Sequence, residues 1–335
     1  MRLSVLDQSP IIEGHTPANA IARSVELARE VEAMGYHRYW MAEHHNTRAL
    51  ADPCPEILLA RIGATTSRIR VGTGGVLLPY YSPLKVAEVF RMLEALFPGR
   101  VDLGIGRAPG SDTLTARVLS GGTFYDFDQF PVHVRETVSF LDDSLPDDHP
   151  YARVRAMPAG PTSPEVWLLG SSDYSATLAA YLGLRFAFAH FITAHGGDEV
   201  TRAFRQGYRP STREPRPVSM LTVFAICADT EAAAHRLAAS IDLRRLQMAR
   251  GLDEPVATTE TALARNDSDE DRTIIERERP RALIGTAAQV CEKIQALQAA
   301  FEADEVMVLT ITGDYASRLR SYELLAAAWP GALAR

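Results

Sequence analysis

PLKVAEVFRMLEALFPGRVDLGIGR, residues 83–107, reads as one helix–turn–strand unit. Pro83 suits the first turn of a helix that runs to Phe97. Pro98-Gly99 stops it, and Val101–Gly106 follows as a strand. The same alternation extends in both directions. Strands are expected at Arg2–Asp7, Arg38–Glu43, Ile69–Leu77, Val101–Gly106, Val166–Leu169, Arg185–Ala189, Ser219–Ala228 and Val306–Ile311. Helical patterns lie between them at Pro17–Met34, Glu56–Thr66, Pro83–Phe97, Val132–Leu145, Tyr174–Leu182, Asp198–Tyr208 and Glu231–Arg250, and Tyr315–Ala328 closes the series. The strands are rich in β-branched residues and lack clean alternation, which implies a parallel sheet covered on both sides. A count of eight favours a closed (β/α)8 TIM barrel over an open sheet.

The 335 residues suit one such barrel, and no repeat or low-complexity linker divides them, so a single domain over 1–335 is expected. Residues 251–284 interrupt the pattern with the charged run RNDSDEDRTIIERERPR. That run reads either as a solvated surface loop or as a mobile lid at the barrel mouth.

A 46% hydrophobic composition supplies an ordinary core, and the net charge of −7 argues against a nucleic-acid-binding face. No apolar run approaches the roughly 20 residues that span a bilayer. MRLSVLDQSP lacks the features of a signal peptide. Three distant cysteines suggest a reduced, cytoplasmic protein without a disulfide frame or a Cys-based zinc site.

A barrel of this kind carries its site at the C-terminal strand ends. MAEHHN, residues 41–46, follows the second strand and sets Glu43 beside His44 and His45. Metal chelation by both histidines fits poorly, because adjacent strand residues point to opposite faces and no HxH or HExxH spacing accompanies them. One histidine should face the pocket, with Glu43 and the other histidine as supports. After the other strands come Gly72-Thr73-Gly74-Gly75, Gly104-Ile105-Gly106-Arg107 and Gly170-Ser171-Ser172-Asp173-Tyr174-Ser175, then His190-Phe191. Glycines let a flat ligand approach the backbone. Arg107 offers a cationic fork, and the serine turn opening a helix suits a phosphate. Each feature also has a plain structural reading: Ser172 or Asp173 as an N-cap, the glycines as barrel packing, Arg107 as a surface ion-pair partner. Their coincidence on one rim points to a planar, phosphorylated cofactor.

Four ordered motifs carry a more specific resemblance: AEHHN at 42–46, VGTGGVLLPYYSPLKVAE at 71–88, FPGRVDLGIGR at 97–107 and LLGSSDYSATLAAYLGL at 168–184. They resemble the bacterial-luciferase-like flavin-dependent monooxygenases, in the single-chain group, over essentially the whole chain. The resemblance implies a (β/α)8 barrel that binds FMN as FMNH2, delivered by a separate flavin reductase. O2 then adds to give a peroxyflavin, which oxygenates an organic substrate; a polyketide or other secondary metabolite is the expected kind. By motif, His44 matches the catalytic histidine, an acid/base or hydrogen-bond donor expected to titrate near neutrality. Arg107 matches the phosphate-binding arginine, and Ser171, Ser172 and Ser175 fall in the phosphate loop. Gly74 and Gly75 match a non-prolyl cis peptide beside the flavin. Gly106 stands where luciferase has a reactive cysteine, so light emission is not implied. A homodimer is expected. Two alternatives stay open: an oxidoreductase that transfers hydride with coenzyme F420, and a catalytically silent flavin-binding homologue. F420 would call for more basic residues at the rim than Arg107.

Overall fold

The computed structural model describes residues 2–108, 110–122 and 127–329. Its strands are β1 (Arg2–Asp7), β2 (Arg38–Met41), β3 (Arg70–Thr73), β4 (Val76–Leu77), β5 (Val101–Gly106), β6 (Glu165–Gly170), β7 (Arg185–Ala189), β8 (Ser219–Ala228), β9 (Ala282–Thr286) and β10 (Glu305–Leu309). The parallel order β1-β2-β3-β5-β6-β7-β8-β10 returns to β1, where Leu6 pairs with Leu309, and so closes an eight-stranded barrel. Helices alternate with the strands and cover them, as a (β/α)8 barrel requires.

The packing explains why these runs are strands. In β5, Val101, Leu103 and Ile105 belong to the apolar layer between barrel and helices, while Asp102 is buried among charged groups on the opposite, inner face. β2 repeats this, with Tyr39 and Met41 outside and Arg38 and Trp40 inside. The interior is therefore layered. Its floor is ionic: Arg38 binds Asp102, Glu165 and Glu305 at 2.9, 2.7 and 3.0 Å. Its middle is apolar, with Leu6, Trp40, Trp167, Met220 and Met307 in one cluster. Its mouth holds the cavity described below.

Several boundaries differ from the sequence expectation. The expected strand Ile69–Leu77 is two pieces, β3 and β4, separated at Gly74–Gly75, whose peptide bond is cis. β2 ends at Met41, so Glu43 lies beyond it. A helix at Thr113–Leu119 lies between the expected strand Val101–Gly106 and the expected helix Val132–Leu145, where the sequence shows no regular pattern; residues 109 and 123–126 lie outside the described residues. The segment 251–284, which reads in the sequence as a surface loop or a lid, holds helices at Thr259–Leu263 and Asp269–Glu278, a 3-10 turn at Arg279–Arg281 and most of β9. β9 pairs with the far half of β8, Phe224–Ala228, and the helix Ala287–Phe301 follows it. Among the described residues no helix is long and apolar enough to cross a membrane.

Candidate active site

A cavity of about 270 Å³ opens at the C-terminal ends of the barrel strands. His44, Gly74, Gly75, Arg107, Ser171, Ser172 and Ser175 all line it. Four strand ends, with candidates separated by up to 131 residues, thus bring the sequence candidates to one wall system. Leu6, Leu77, Leu169, Phe191, Ile192 and Met307 make most of the remaining surface apolar. Gln8, Trp40 and Thr222 also line it and were not among the candidates. The signal for Trp40 was its two-residue step from Arg38, which puts both inside the barrel.

MAEHHN resolves into unequal parts. Glu43 is buried, and its Oε2 accepts the Leu77 amide at 2.9 Å. Its Oε1 accepts the Tyr81 hydroxyl at 2.6 Å and lies 2.7 Å from His45 Nε2. A carboxylate so engaged is a structural anchor that ties the loop to β4. Burial, then the hydrogen bond to Glu43, holds the Tyr81 phenol above its usual pKa. His44 lines the cavity, and His45 does not. Among the described residues His44 Nδ1 is shielded and has no hydrogen-bond partner. Burial, reinforced by the Arg244 cation, pushes the His44 pKa down to about 4. The expectation of titration near neutrality therefore does not hold here: at pH 7 the ring is neutral, a donor at one nitrogen and an acceptor at the other. Arg244, on the helix Glu231–Ala249, carried no sequence signal for this role. No cluster of three or more metal-ligating side chains occurs among the described residues.

Beneath the loop lies a second titratable group. Asp52 accepts the His44 amide through its carbonyl at 3.1 Å. Its carboxyl is buried, and that burial pushes its pKa up to about 7.

The opposite wall is built for an anion. The helix Asp173–Leu182 begins at Ser172, which has extended N-cap geometry but makes no side-chain cap hydrogen bond. Ser172 thus holds the N-cap position, as one sequence reading expects, but its hydroxyl is not spent on capping the helix. The first amides of that helix keep their donors, and the helix dipole favours negative charge there. Ser175, one turn on, is buried. The Arg107 guanidinium stacks 3.9 Å from the centroid of the Tyr174 ring, which fixes the cation beside this turn.

Between the two walls the glycines hold the backbone close. A Cβ on Gly75 would stand 2.7 Å from the Gly104 carbonyl oxygen, so a side chain there would force β4 away from β5. At Gly106 the nearest atoms to an added Cβ are 3.7 Å away, an ordinary van der Waals contact, so a small side chain would fit without a clash. The bare backbone at Gly106 thus leaves room along the cavity wall. An anion seat, a flat glycine wall and an imidazole in the cavity wall fit a planar, phosphorylated group.

The family described as "Luciferase-like monooxygenase" matches residues 1–302. A "Luciferase-like monooxygenase" of Escherichia coli (strain K12) is 38% identical over 325 residues, covering 96% of this chain and 95% of that one. An "N-acetyl-S-alkylcysteine monooxygenase" of Bacillus subtilis (strain 168) is 36% identical, covering 97% of both chains. The crystal structure of apo-MsnO8 superposes with a TM-score of 0.91 at 40% identity, covering 98% of both chains. With its eight-stranded barrel and its matched length, the chain belongs to the luciferase-like monooxygenase family.

Proposed function

We propose that this protein is an FMNH2-dependent monooxygenase of the two-component type, acting in the cytoplasm on an organic substrate such as a polyketide or another secondary metabolite. The convergence of His44, Gly74, Gly75, Arg107, Ser171, Ser172 and Ser175 on one cavity carries this reading. Arg107, the serine hydroxyls and the first amides of Asp173–Leu182 would hold the FMN phosphate. Gly74, Gly75 and Gly106 would lie along the ring system. Reduced FMN, when bound, supplies the electrons that activate O2. His44 then holds or passes a proton at Nδ1 or Nε2 as a neutral base and donor, and Glu43 fixes the chain on which it sits. The apolar surface of Phe191, Ile192 and Met307 excludes water and receives the substrate. An alkyl-bearing molecule suits that surface, in keeping with the N-acetyl-S-alkylcysteine monooxygenase relative.

Equilibrium binding under anaerobic conditions tests the cofactor. FMNH2 should bind at micromolar or lower concentration, and Arg107→Ala should weaken it by about 10- to 100-fold, the worth of a charge-assisted contact. Oxygen uptake should require an added flavin reductase. Preference for reduced F420 would overturn the reading, and tight FMN binding without turnover by any reductase would leave a silent homologue.

We also infer a homodimer. Ile57 on Pro55–Thr65 is 69% exposed, and Met92 and Leu96 on Pro83–Leu96 are 54% and 55% exposed. Large apolar side chains on two adjacent helices support burial against a second copy. Sedimentation at micromolar concentration should give twice the chain mass; a monomer would exclude the dimer.

A further inference from the structure

The loop carrying His44 is held from three sides. The His44 amide binds the Asp52 carbonyl at 3.1 Å, and the His45 amide binds that of Gly110 at 3.3 Å. Asn46, at a φ of 50°, donates from Nδ2 to Asp112 at 3.0 Å. The third side is Asp253. Its Oδ1 accepts the Thr47 hydroxyl at 2.8 Å, and its Oδ2 accepts the Arg48 amide.

Asp253 is itself fastened. Val256, three residues on and fully buried, donates to the Ile11 carbonyl and accepts from the Glu13 amide, both at 2.8 Å. Arg244 donates to the Glu254 carbonyl at 3.2 Å, and its guanidinium stands 4.0 Å from the Asp253 carboxylate. Residues 253–256 thus form a strap, joined to the segment after β1 on one side and to the His44 loop on the other. One carboxylate satisfies a side-chain donor and a backbone donor of that loop at once, each on its own oxygen, whereas an amide of that size offers only one acceptor oxygen.

We propose that Asp253 is a positioning residue for His44, acting through Thr47 and Arg48 to keep the loop seated so that the imidazole stays shielded in the cavity wall. This rests on the role given to His44 above. The charged and titratable groups that face His44 are Arg244 from the Glu231–Ala249 helix and the neighbouring His45. Charge and position act in opposite directions here, which makes the proposal separable from a general electrostatic effect. Deleting the Asp253 charge alone leaves the Arg244 cation less screened and lowers the His44 pKa further. Loosening the loop hydrates the ring and raises it toward the ordinary value.

The test is an NMR titration of ring-labelled histidine in the intact, flavin-free protein, so it stands apart from activity. In Asp253→Ala, the His44 pKa should climb from about 4 to above about 5. Asp253→Asn keeps one acceptor oxygen and should fall between the two; it also serves if the alanine variant folds poorly. With substrate turnover in hand, kcat should drop about 10-fold with KM within about twofold, the split expected for a misplaced group. A His44 pKa that is unchanged or lower in both variants overturns the proposal. Full activity in His44→Ala would instead overturn the catalytic reading, and the titration result would stand by itself.

Discussion

His44→Ala is expected to cut oxygenation by about 10²- to 10⁴-fold, the usual worth of a positioned proton donor or acceptor, while FMNH2 affinity changes by less than about threefold. Binding should persist because the anion seat at Arg107 and Ser171–Ser172 lies on the other wall of the cavity. Stopped-flow oxidation of bound FMNH2 with substrate present, beside equilibrium binding, checks both halves. Wild-type activity in the variant would remove His44 from the mechanism. The pH profile gives a second readout. Burial holds the His44 pKa at about 4, so the neutral ring persists across pH 5–8 and His44 contributes an acid limb only as pH approaches 4. The sign for stability follows from the same shift. In the unfolded chain the imidazole titrates near 6.5. Between about 6.5 and 4 the unfolded state therefore binds the proton that the folded state refuses. Stability should fall as pH drops through that window and be insensitive to His44 above it. His44→Ala should flatten that dependence.

The eight barrel strands are legible because their outer faces are built from Val, Leu, Ile and Phe, as in Val101, Leu103 and Ile105 of β5. The apparent lack of alternation has a physical origin. The inner faces carry Arg38, Asp102, Glu165 and Glu305 at the floor but Trp40, Trp167 and Met307 above it, so inner positions change character along each strand. The glycines and Arg107 are legible because strand ends are where a barrel places ligands. Less legible is what depends on long-range contact. Nothing near residue 253 in the sequence announces a bond to Thr47, 206 residues away. The helix Ala287–Phe301 does carry local signals: a Thr286/Gln289 capping box, with Val290 and Ile294 buried one turn apart. The charged run just before it obscures them, because polar composition between 265 and 281 hides helices that bury little, as in Asp269–Glu278, where Asp271 is buried through its cap bonds. The depressed His44 pKa likewise depends on burial and on Arg244, a residue 200 positions away.

Asp102→Ala should destabilise the protein by about 3–5 kcal/mol, among the larger effects expected of any single substitution here. Asp102 is fully buried at the barrel floor. It accepts Arg38 Nη1 at 2.9 Å, Arg70 Nε and Nη2 at 2.9 and 2.6 Å, and the Trp40 indole N–H at 2.9 Å. Burial alone would raise its pKa, but the Arg38 and Arg70 guanidiniums outweigh it and keep the carboxyl ionised below its ordinary range. Burial likewise works against the Arg38 cation, and Asp102, Glu305 and Glu165 together more than offset it. Removing Asp102 leaves Arg38 with the two glutamates, strips Arg70 of the carboxylate oxygen that its Nε and Nη2 share and leaves the Trp40 indole without its acceptor. Uncompensated buried donors of this kind cost more than a lost contact. Thermal unfolding should show a Tm lower by about 4–7 °C. Asp102→Asn keeps acceptor geometry without the charge and should lie between; a drop below about 2 °C in the alanine variant would show that the glutamates carry the floor unaided. The change should also reach the cavity. Trp40 lines it, and its ring meets Trp167 edge-on at 5.5 Å, so the bond to Asp102 sets the height of that ring in the barrel. FMNH2 affinity is therefore expected to weaken by several-fold in Asp102→Ala at a temperature where the variant remains folded. The ionic floor and the ligand cavity would then be coupled through one indole, and a Trp40→Phe substitution, which removes the hydrogen bond but leaves Asp102 with both arginines, should reproduce the affinity change without the full loss of stability.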